Sequence, residues 1–231
     1  MKIITWNCNG AFRKKLKIIE SFNADVVIIQ ECENPDETLD KDYKEFAKNS
    51  IWTGKNKNKG LGIFAKENIK IKNNNWPDDE LKYFISCSIN ENFNLLGAWC
   101  HSANSPNFRY IGQFWKYLQI NKNKMQNIVI AGDFNSNTIW DEWDRWWNHS
   151  DVVRELAEIG IRSVYHELNQ LEHGKEAIPT LYHRKNKDTS YHIDYVFVSD
   201  EIMKKVISFQ IENFENWIDV SDHVPIIIEI E

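Results

Sequence analysis

Residues 127–137, with the sequence NIVIAGDFNSN, hold the pattern that decides the fold. Residues 127–131 form a short, mostly apolar run, as expected of a strand that is buried on both faces. Residues 132–137 are polar and follow that strand directly. Loops held by a rigid scaffold are common locations for binding and catalytic residues. We therefore take this strand end as the first candidate for a functional site.

Four other strand ends carry unusual polar residues in the same way. They are WNCNG at 6–10, QE at 30–31 after DVVII, HID at 192–194 before YVFVS, and SDHVP at 221–225 before a final apolar run. Taken singly, each is compatible with ordinary turn or solvent-facing residues. Together they place four carboxylates beside buried strands, where an unpaired charge is costly. These carboxylates are Glu31, Asp133, Asp194 and Asp222.

The residue types in this set indicate phosphoester chemistry. Carboxylate and carboxamide oxygens suit Mg²⁺ or Mn²⁺ better than zinc. A metal that neutralises a phosphate, a carboxylate that activates water and a histidine that stabilises the developing charge are the parts needed for hydrolysis.

The rest of the chain alternates short apolar runs with amphipathic stretches. Strands are predicted at 2–6, 25–30, 60–65, 83–89, 93–100, 127–131, 191–198 and 224–230. Helices are predicted from the spacing of apolar residues at 12–23, at 39–46, after Pro106, and from Ser150 to Gly160. This mixture indicates a layered α/β or α+β domain, with two sheets packed face to face and helices outside.

Composition excludes several classes of protein. The chain has 231 residues, of which 42% are hydrophobic and 27% charged, so it is not a disordered chain. No apolar run approaches the roughly 18–20 residues that span a bilayer, so we expect no membrane association. The four cysteines form no CxxC pair, and we expect free thiols in a cytoplasmic protein. A net charge of −6 does not favour non-specific coating of nucleic acid.

The ordered motifs resemble a known family. WNCNG, IIQE, GDFNSN, HIDYVFVS and SDHVP, in this order, are similar to the endonuclease/exonuclease/phosphatase superfamily, which includes exonuclease III, apurinic endonucleases and deoxyribonuclease I. The resemblance runs from residue 5 to residue 225. It implies a four-layer α/β sandwich of two packed mixed β-sheets flanked by helices. It also implies a single domain over residues 1–231, with halves of about 1–125 and 126–231 that supply one sheet each.

The resemblance assigns roles to the motif residues. The metal ligands would be Glu31 and Asp222, with Asn7 and Asn9 in the supporting motif. Asp133 would orient or deprotonate the attacking water, Asn135 would contact the phosphate, and His223 would face the phosphate oxygens. Asp194 would orient His223, as the acid does in hydrolytic triads. His101 occupies a position that carries a histidine near the leaving group in the deoxyribonuclease I and phosphatase branches, and Asn104 is a candidate phosphate contact.

Two further substrate-binding residues are predicted near the HID motif, without a role that the resemblance assigns. His192 shares a strand face with Asp194 by two-residue alternation, with cross-strand packing as the alternative. Arg184 lies in the basic loop 183–187, just before HID. The other histidines, at 149, 166, 173 and 183, are expected on the surface.

A tryptophan cluster has two interpretations. Trp140, Trp143 and Trp147 fit one face of a helix, which favours core packing. Alternatively, these indoles and Trp146 lie at the mouth of the site and stack bases.

From these observations we expect a Mg²⁺-dependent phosphoesterase, with Mn²⁺ as a substitute ion. A nuclease acting on DNA is favoured, and the protein is expected to be a monomer. The alternatives are a phosphatase or phosphodiesterase for inositol phosphate or lipid, and a binding scaffold without activity.

Overall fold

The computed structural model of the protein describes residues 1–102 and 107–231. Its strands are β1 (Lys2–Asn7), β2 (Val26–Cys32), β3 (Ser50–Asn56), β4 (Lys59–Ala65), β5 (Ile71–Asn73), β6 (Phe84–Ile89), β7 (Phe93–Trp99), β8 (Ile128–Asp133), β9 (Ile161–Ser163), β10 (Leu181–Tyr182), β11 (Ser190–Tyr191), β12 (Asp194–Ser199), β13 (Val206–Ile211) and β14 (Ile226–Ile230). Its α-helices are α1 (Leu16–Glu20), α2 (Lys41–Phe46), α3 (Ile111–Asn121), α4 (His149–Glu158), α5 (Val164–Asn169), α6 (Asp200–Met203) and α7 (Phe214–Trp217).

Two mixed sheets dominate the described residues. The first sheet has the strand order β13-β14-β1-β2-β4-β3, in which β1 is parallel to β2 and antiparallel to β14. The second has the order β5-β6-β7-β8-β12-β9, in which β8 is parallel to β7 and antiparallel to β12. A separate short hairpin joins β10 and β11.

The central strands are buried on both faces, which explains their apolar runs. In β2, Ile28 points into the core between the two sheets, whereas Ile29 packs with the residues of α1, α2 and α7 outside. In β8, Val129 faces the core between the sheets and Ile130 packs against α3 and α4. This alternation between the two faces of each strand builds four layers. The predicted four-layer sandwich is therefore confirmed.

The prediction that each half of the chain supplies one sheet is wrong. Strands β5–β7 come from the first half but lie in the second sheet, and β13 and β14 come from the second half but lie in the first. The cause is pairing across the whole chain, because β14 forms an antiparallel ladder with β1, with Ile228 opposite Ile3. Sequence neighbourhood did not reveal this pairing.

Some predicted elements also differ locally. Leu39 is exposed and precedes α2, although its spacing placed it on the helix. Helix α4 begins one residue before Ser150, because Asn148 and Asp151 form a capping box there. Strand β3, whose residues are mostly half-buried or exposed, had no clear apolar pattern and was not predicted. Among the described residues, no helix has the length and apolar character to cross a membrane.

The tryptophan cluster does not lie on a helix. After a 3₁₀ turn over Thr138–Trp140, the chain remains irregular until α4. Trp143 is 96% exposed and Trp146 is 64% exposed. The core-packing interpretation, which covered Trp140, Trp143 and Trp147, is therefore wrong for Trp143, and Trp140 is also exposed, at 44%. An i, i+3, i+7 spacing describes a helix only where the backbone forms one, and here other hydrogen bonds shape the loop.

Candidate active site

Strand register brings the polar motifs to one end of the two sheets. In the first sheet, Asn7 at the end of β1 lies opposite Gln30 of β2. In the second sheet, Asp133 at the end of β8 lies opposite Asp194 at the start of β12. The two sheets meet at this end, because the Asn7 Nδ2 amide donates a hydrogen bond of 2.9 Å to Asp133 Oδ2.

Asp133 is the most enclosed carboxylate of the cluster. It is fully buried, and Asn7 Nδ2, Asn135 Nδ2 and the Asn135 backbone N–H all donate to it at 2.9 Å. Burial and the neighbouring Asp194 charge raise its pKa to about 7, although His223 and the hydrogen bonds act in the opposite direction. A buried carboxylate whose pKa lies near neutrality is suited to accept a proton from water.

His223 and Asp194 form a buried pair, as predicted from their motifs. The His223 Nδ1 atom lies 2.9 Å from Asp194 Oδ2. Burial alone would lower the pKa of the His223 imidazole, but the charge and hydrogen bond of Asp194, together with Asp133 and Asp222, raise it to about 10. His223 therefore carries a positive charge at neutral pH, and Nε2 is the remaining donor of its ring.

Three residues that the sequence analysis did not assign hold this pair in place. The Thr180 hydroxyl accepts hydrogen bonds of 3.0 Å from the backbone N–H groups of Ile193 and Asp194. The Trp6 indole N–H donates to the His223 carbonyl at 3.0 Å. The Ser221 hydroxyl donates to the Asn7 carbonyl at 2.8 Å. Trp6 and Ser221 lie within the recognised motifs, whereas Thr180 lies outside them and had no sequence signal.

Glu31 adopts a strained backbone conformation at the end of β2. Its φ is +65°, in the left-handed region, at a bulge where the register shifts between Gln30 and Cys32. Its carboxylate forms an ion pair with Lys59 at the start of β4. No motif marked Lys59, and the structure alone identifies it as a cation beside the predicted metal ligand.

The other predicted metal and catalytic residues are Asn9, Asp222 and His101. Asn9 is exposed, and its backbone N–H donates to Asn7 Oδ1 at 3.0 Å. Asp222 is half-buried next to His223. The His101 ring packs against Trp99, with ring centres 5.0 Å apart. Burial lowers the pKa of His101 below its ordinary value, and the negative charge of Glu31 opposes this shift only in part.

Three predicted substrate contacts have different outcomes. His192 is buried, its Nδ1 lies 2.7 Å from the Ile178 carbonyl, and its ring packs against Tyr165 and Tyr195. These contacts favour the packing alternative for His192, since two-residue alternation does not extend past the start of β12 at Asp194, and its substrate-facing role stays a prediction. Arg184 is exposed in a turn with φ of +54°, and its substrate contact stays a prediction. Asn104 lies outside the described residues.

Within the part of the chain that the structure describes, two groups have ligand atoms close enough to hold a metal ion. One is Asp133, Asp194 and His223, with ligand atoms within 4.8 Å of one another. The other is His166, His173 and Glu176. His166 already bonds Glu176 through Nε2 at 2.9 Å.

The second group is part of a buried network that supports residues 134–137, the loop after β8. We call this segment the catalytic loop. Glu176 accepts a hydrogen bond from Asn137, two residues after Asn135. His149 Nδ1 lies 3.3 Å from the Ser136 hydroxyl. The expectation that His149 and His166 lie on the surface is wrong, because both are buried in this network.

Comparisons with known proteins agree with this architecture. A family model described as the Endonuclease/Exonuclease/phosphatase family matches residues 4–223. A search of the curated proteins finds no match. Among solved structures, the chain is similar to a 3′ phosphatase, NExo, from Neisseria bound to a product DNA hairpin, with TM-score 0.71 and 18% identity over 100% of this chain and 99% of that chain.

Two further solved structures share the fold. A 3′-5′ exonuclease (NExo) from Neisseria meningitidis has TM-score 0.69 and 20% identity over 100% of both chains. An AP endonuclease from Archaeoglobus fulgidus has TM-score 0.71 and 16% identity over 100% of this chain and 99% of that chain. The family match over nearly the whole chain, together with the site at the strand ends, shows that the protein belongs to the Endonuclease/Exonuclease/phosphatase family and is a hydrolase of phosphoric esters.

Proposed function

We propose that the protein is a Mg²⁺-dependent phosphodiesterase that cleaves nucleic acid, with DNA as the favoured substrate. The observation that carries this proposal is the arrangement of Asp133 beside the Asp194–His223 pair. It combines a proton acceptor and a cationic ring at one buried strand end. These are the two groups that hydrolysis of a phosphodiester by water requires from the protein.

The residues at the site fit a hard divalent cation. Glu31 and Asp222 supply carboxylate oxygens, and Asn7 and Asn9 supply amide oxygens, which are the donors that Mg²⁺ prefers. Glu31 is already paired with the positive charge of Lys59, so its carboxylate faces a cation in the structure. When bound, Mg²⁺ or Mn²⁺ would neutralise phosphate charge and polarise a phosphoryl oxygen.

The side chains of the protein supply proton transfer and charge stabilisation. Asp133 accepts a proton from the attacking water, and Asn7 and Asn135 fix its orientation through their amide groups. The Asn135 amide also donates to the Cys100 carbonyl at 3.1 Å, which holds the loop against β7. His223, kept charged by Asp194, donates from Nε2 to a non-bridging phosphate oxygen and stabilises the negative charge of the transition state.

DNA is favoured as the substrate because of the solved structures that share this fold. The similar structures are described as a 3′ phosphatase with a product DNA hairpin, a 3′-5′ exonuclease and an AP endonuclease. Substrate does not follow from fold, so this support is one of analogy. We also infer a cytoplasmic location and a monomeric state, the first because Cys8, Cys32, Cys87 and Cys100 are all free and buried.

The test is a panel of substrates assayed with Mg²⁺, Mn²⁺ or chelator. The panel contains duplex and single-stranded DNA, 3′-phosphorylated DNA, an abasic duplex, RNA and inositol phosphates. We expect cleavage of DNA that chelator abolishes and either ion restores, and loss of cleavage in Asp133→Asn. Full activity after chelation would contradict the metal requirement, and activity confined to inositol phosphates would contradict the nucleic-acid assignment.

A further inference from the structure

A groove extends from the catalytic loop between the N-terminal ends of α3 and α4. It encloses 520 Å³, a size typical of ligand sites. Asn135, which bonds Asp133, is one of its lining residues, so the groove borders the site described above. Its side walls include Arg109, Tyr110, Trp140, Arg145 and Trp147. We refer to these five residues and the space between them as the aromatic groove.

The aromatic groove presents large rings to solvent. Trp140 and Tyr110 are each 44% exposed. Trp140 is supported from one side by Tyr191, with ring centres 5.0 Å apart. Trp147 lies against Gly112, since a Cβ at Gly112 would come within 3.1 Å of the indole. Exposed aromatic clusters of this kind are typical of binding surfaces.

Residues 141–148 form the loop that carries Arg145 and Trp147, and hydrogen bonds fix the shape of this loop before any ligand binds. The Asn148 side chain donates to the carbonyls of Glu142 and Arg145 at 2.9 and 3.1 Å, and it accepts from the Glu142 N–H at 2.9 Å. Asp141 accepts from the first two N–H groups of α4. A surface that is ordered in advance loses less entropy on binding.

The groove lining holds two arginines, Arg109 and Arg145, and one carboxylate, Asp141, in a chain whose net charge is −6. Arg109 and Arg145 are two of the six arginines in the sequence. The Arg145 guanidinium lies 4.9 Å from the centre of the Trp147 ring and 3.4 Å from Glu142 Oε1. Arginine beside aromatic rings is the combination that binds phosphate and stacks bases at the same time.

We propose that the aromatic groove binds unpaired nucleotides of the substrate strand next to the scissile phosphate. This inference rests on the proposed function and adds a preference for single-stranded or frayed ends over fully paired duplex. Only unpaired bases expose the faces that stack on an indole such as that of Trp140, whereas a duplex presents its phosphates and base edges. Because Asn135 lines the groove and also bonds Asp133, nucleotides that flank the scissile phosphate are the ones that reach it.

Binding measurements test this inference separately from catalysis. Asp133→Asn protein is titrated with a short single-stranded oligonucleotide and with a blunt DNA hairpin whose loop is a non-nucleotide linker, so that every base is paired, by fluorescence anisotropy. Trp140→Leu and Arg145→Gln are then added singly to this background. We expect each to weaken binding of the oligonucleotide about 5- to 150-fold, which corresponds to roughly 1–3 kcal/mol, and to leave binding of the hairpin nearly unchanged.

Trp143→Leu is the matched control. Trp143 lies on the same loop and is 96% exposed, but it does not line the groove, so we expect binding equal to the parent. Equal losses in Trp143→Leu and Trp140→Leu, equal losses on the oligonucleotide and the hairpin, or no loss in either groove variant would overturn the inference. Thermal unfolding shows whether Trp140→Leu is folded, and the solvent-exposed Arg145→Gln carries the test if it is not.

A minimal substrate separates failure of this inference from failure of the proposed function. Bis(p-nitrophenyl) phosphate is a phosphodiester that does not need the groove. If the enzyme without substitutions hydrolyses neither this compound nor DNA, the proposed function fails. If it hydrolyses them and the groove variants bind the oligonucleotide normally, only the groove inference fails.

Discussion

Asp133 illustrates how one side chain can be held between two protonation states. Three hydrogen-bond donors favour its carboxylate, while full burial and the nearby Asp194 favour its neutral form. Burial prevails, and the pKa rises to about 7. His223 shows the opposite balance, because its carboxylate neighbours outweigh burial and raise its pKa to about 10. One end of the sheets thus holds two groups with raised pKa values, the proton acceptor Asp133 and the positively charged His223. Shifted pKa values of this kind are common at active sites.

At the residue scale we predict that His223 and Asp194 act as one unit. His223→Ala removes the cation that faces phosphate, and Asp194→Asn lowers the pKa of His223 and removes its orienting partner. Each should reduce kcat by about 10²- to 10⁴-fold. The double variant should be little slower than His223→Ala alone, because the second change removes an interaction that is already lost.

Steady-state kinetics at saturating metal measure these losses, with Glu91→Gln as the control. Glu91 forms an exposed ion pair with Lys70 at the far end of β7, so its removal should leave kcat unchanged. NMR titration of the His223 ring adds a readout that misfolding would not imitate, since its pKa should fall in Asp194→Asn. Additive losses in the double variant would contradict the pairing.

At the scale of elements, hydrogen bonds to buried groups hold the loop after β8 in place. The Asn137 amide donates to Glu176, to the His192 carbonyl and to the Tyr195 hydroxyl at 3.0–3.1 Å. The Asn137 Oδ1 atom accepts from the Ile139 N–H and so caps the following turn. His192 thus belongs to this support, and its carbonyl fixes the loop from which Asn135 reaches Asp133.

We predict that Asn137→Ala loosens this loop. The change leaves buried acceptors without their donor, which should lower the free energy of unfolding by about 1–3 kcal/mol. Because Asn135 is displaced with the loop, kcat should fall about 10- to 100-fold while KM changes little. Urea unfolding and steady-state kinetics measure the two effects.

Asn74→Ala is the control for Asn137→Ala, because the half-buried Asn74 amide donates one side-chain hydrogen bond, to Asn94, far from the site. It should cost less than the Asn137 change and leave kcat unaltered. A stable Asn137→Ala with normal kcat would show that the loop holds its shape without this support.

At the scale of the whole molecule, a metal held at the junction of the two sheets should stabilise the fold. A ligand that binds only the folded state at 100 times its Kd adds about 2.7 kcal/mol, and each kcal/mol raises the Tm of a chain of this size by roughly 2–4 °C. We therefore predict that saturating Mg²⁺ raises the Tm by about 5–11 °C.

Glu31→Gln should remove most of this increase while changing the Tm without metal very little. Its ion pair with the half-exposed Lys59 contributes only about 0–1 kcal/mol. Glu229→Gln, which breaks the similar surface pair with Lys2, is the matched control and should keep the full metal response. Differential scanning calorimetry with and without Mg²⁺ measures these shifts. A normal metal response in Glu31→Gln would exclude Glu31 as the main ligand.

The sequence by itself determined the local features of the protein. Apolar runs such as 127–131 predicted the central strands, and the polar residues after them predicted Asp133, Asp194 and His223 as a group. These features could be predicted because a run of consecutive residues shows both the burial of a strand on its two faces and the polarity of its end. The resemblance of the motifs to the family then predicted the four-layer sandwich and the phosphoesterase activity.

Only the tertiary structure decided which distant residues meet. The bond from Asn7 to Asp133 joins residues 126 positions apart, and Thr180 supports Asp194 without any motif of its own. The mixing of both chain halves in each sheet and the burial of His166 were likewise not predicted, and the sequence left open whether Trp143 is buried or exposed. The physical reason is that periodicity reports the environment of one segment, whereas strand partners and buried hydrogen bonds depend on the free energy of packing all segments together.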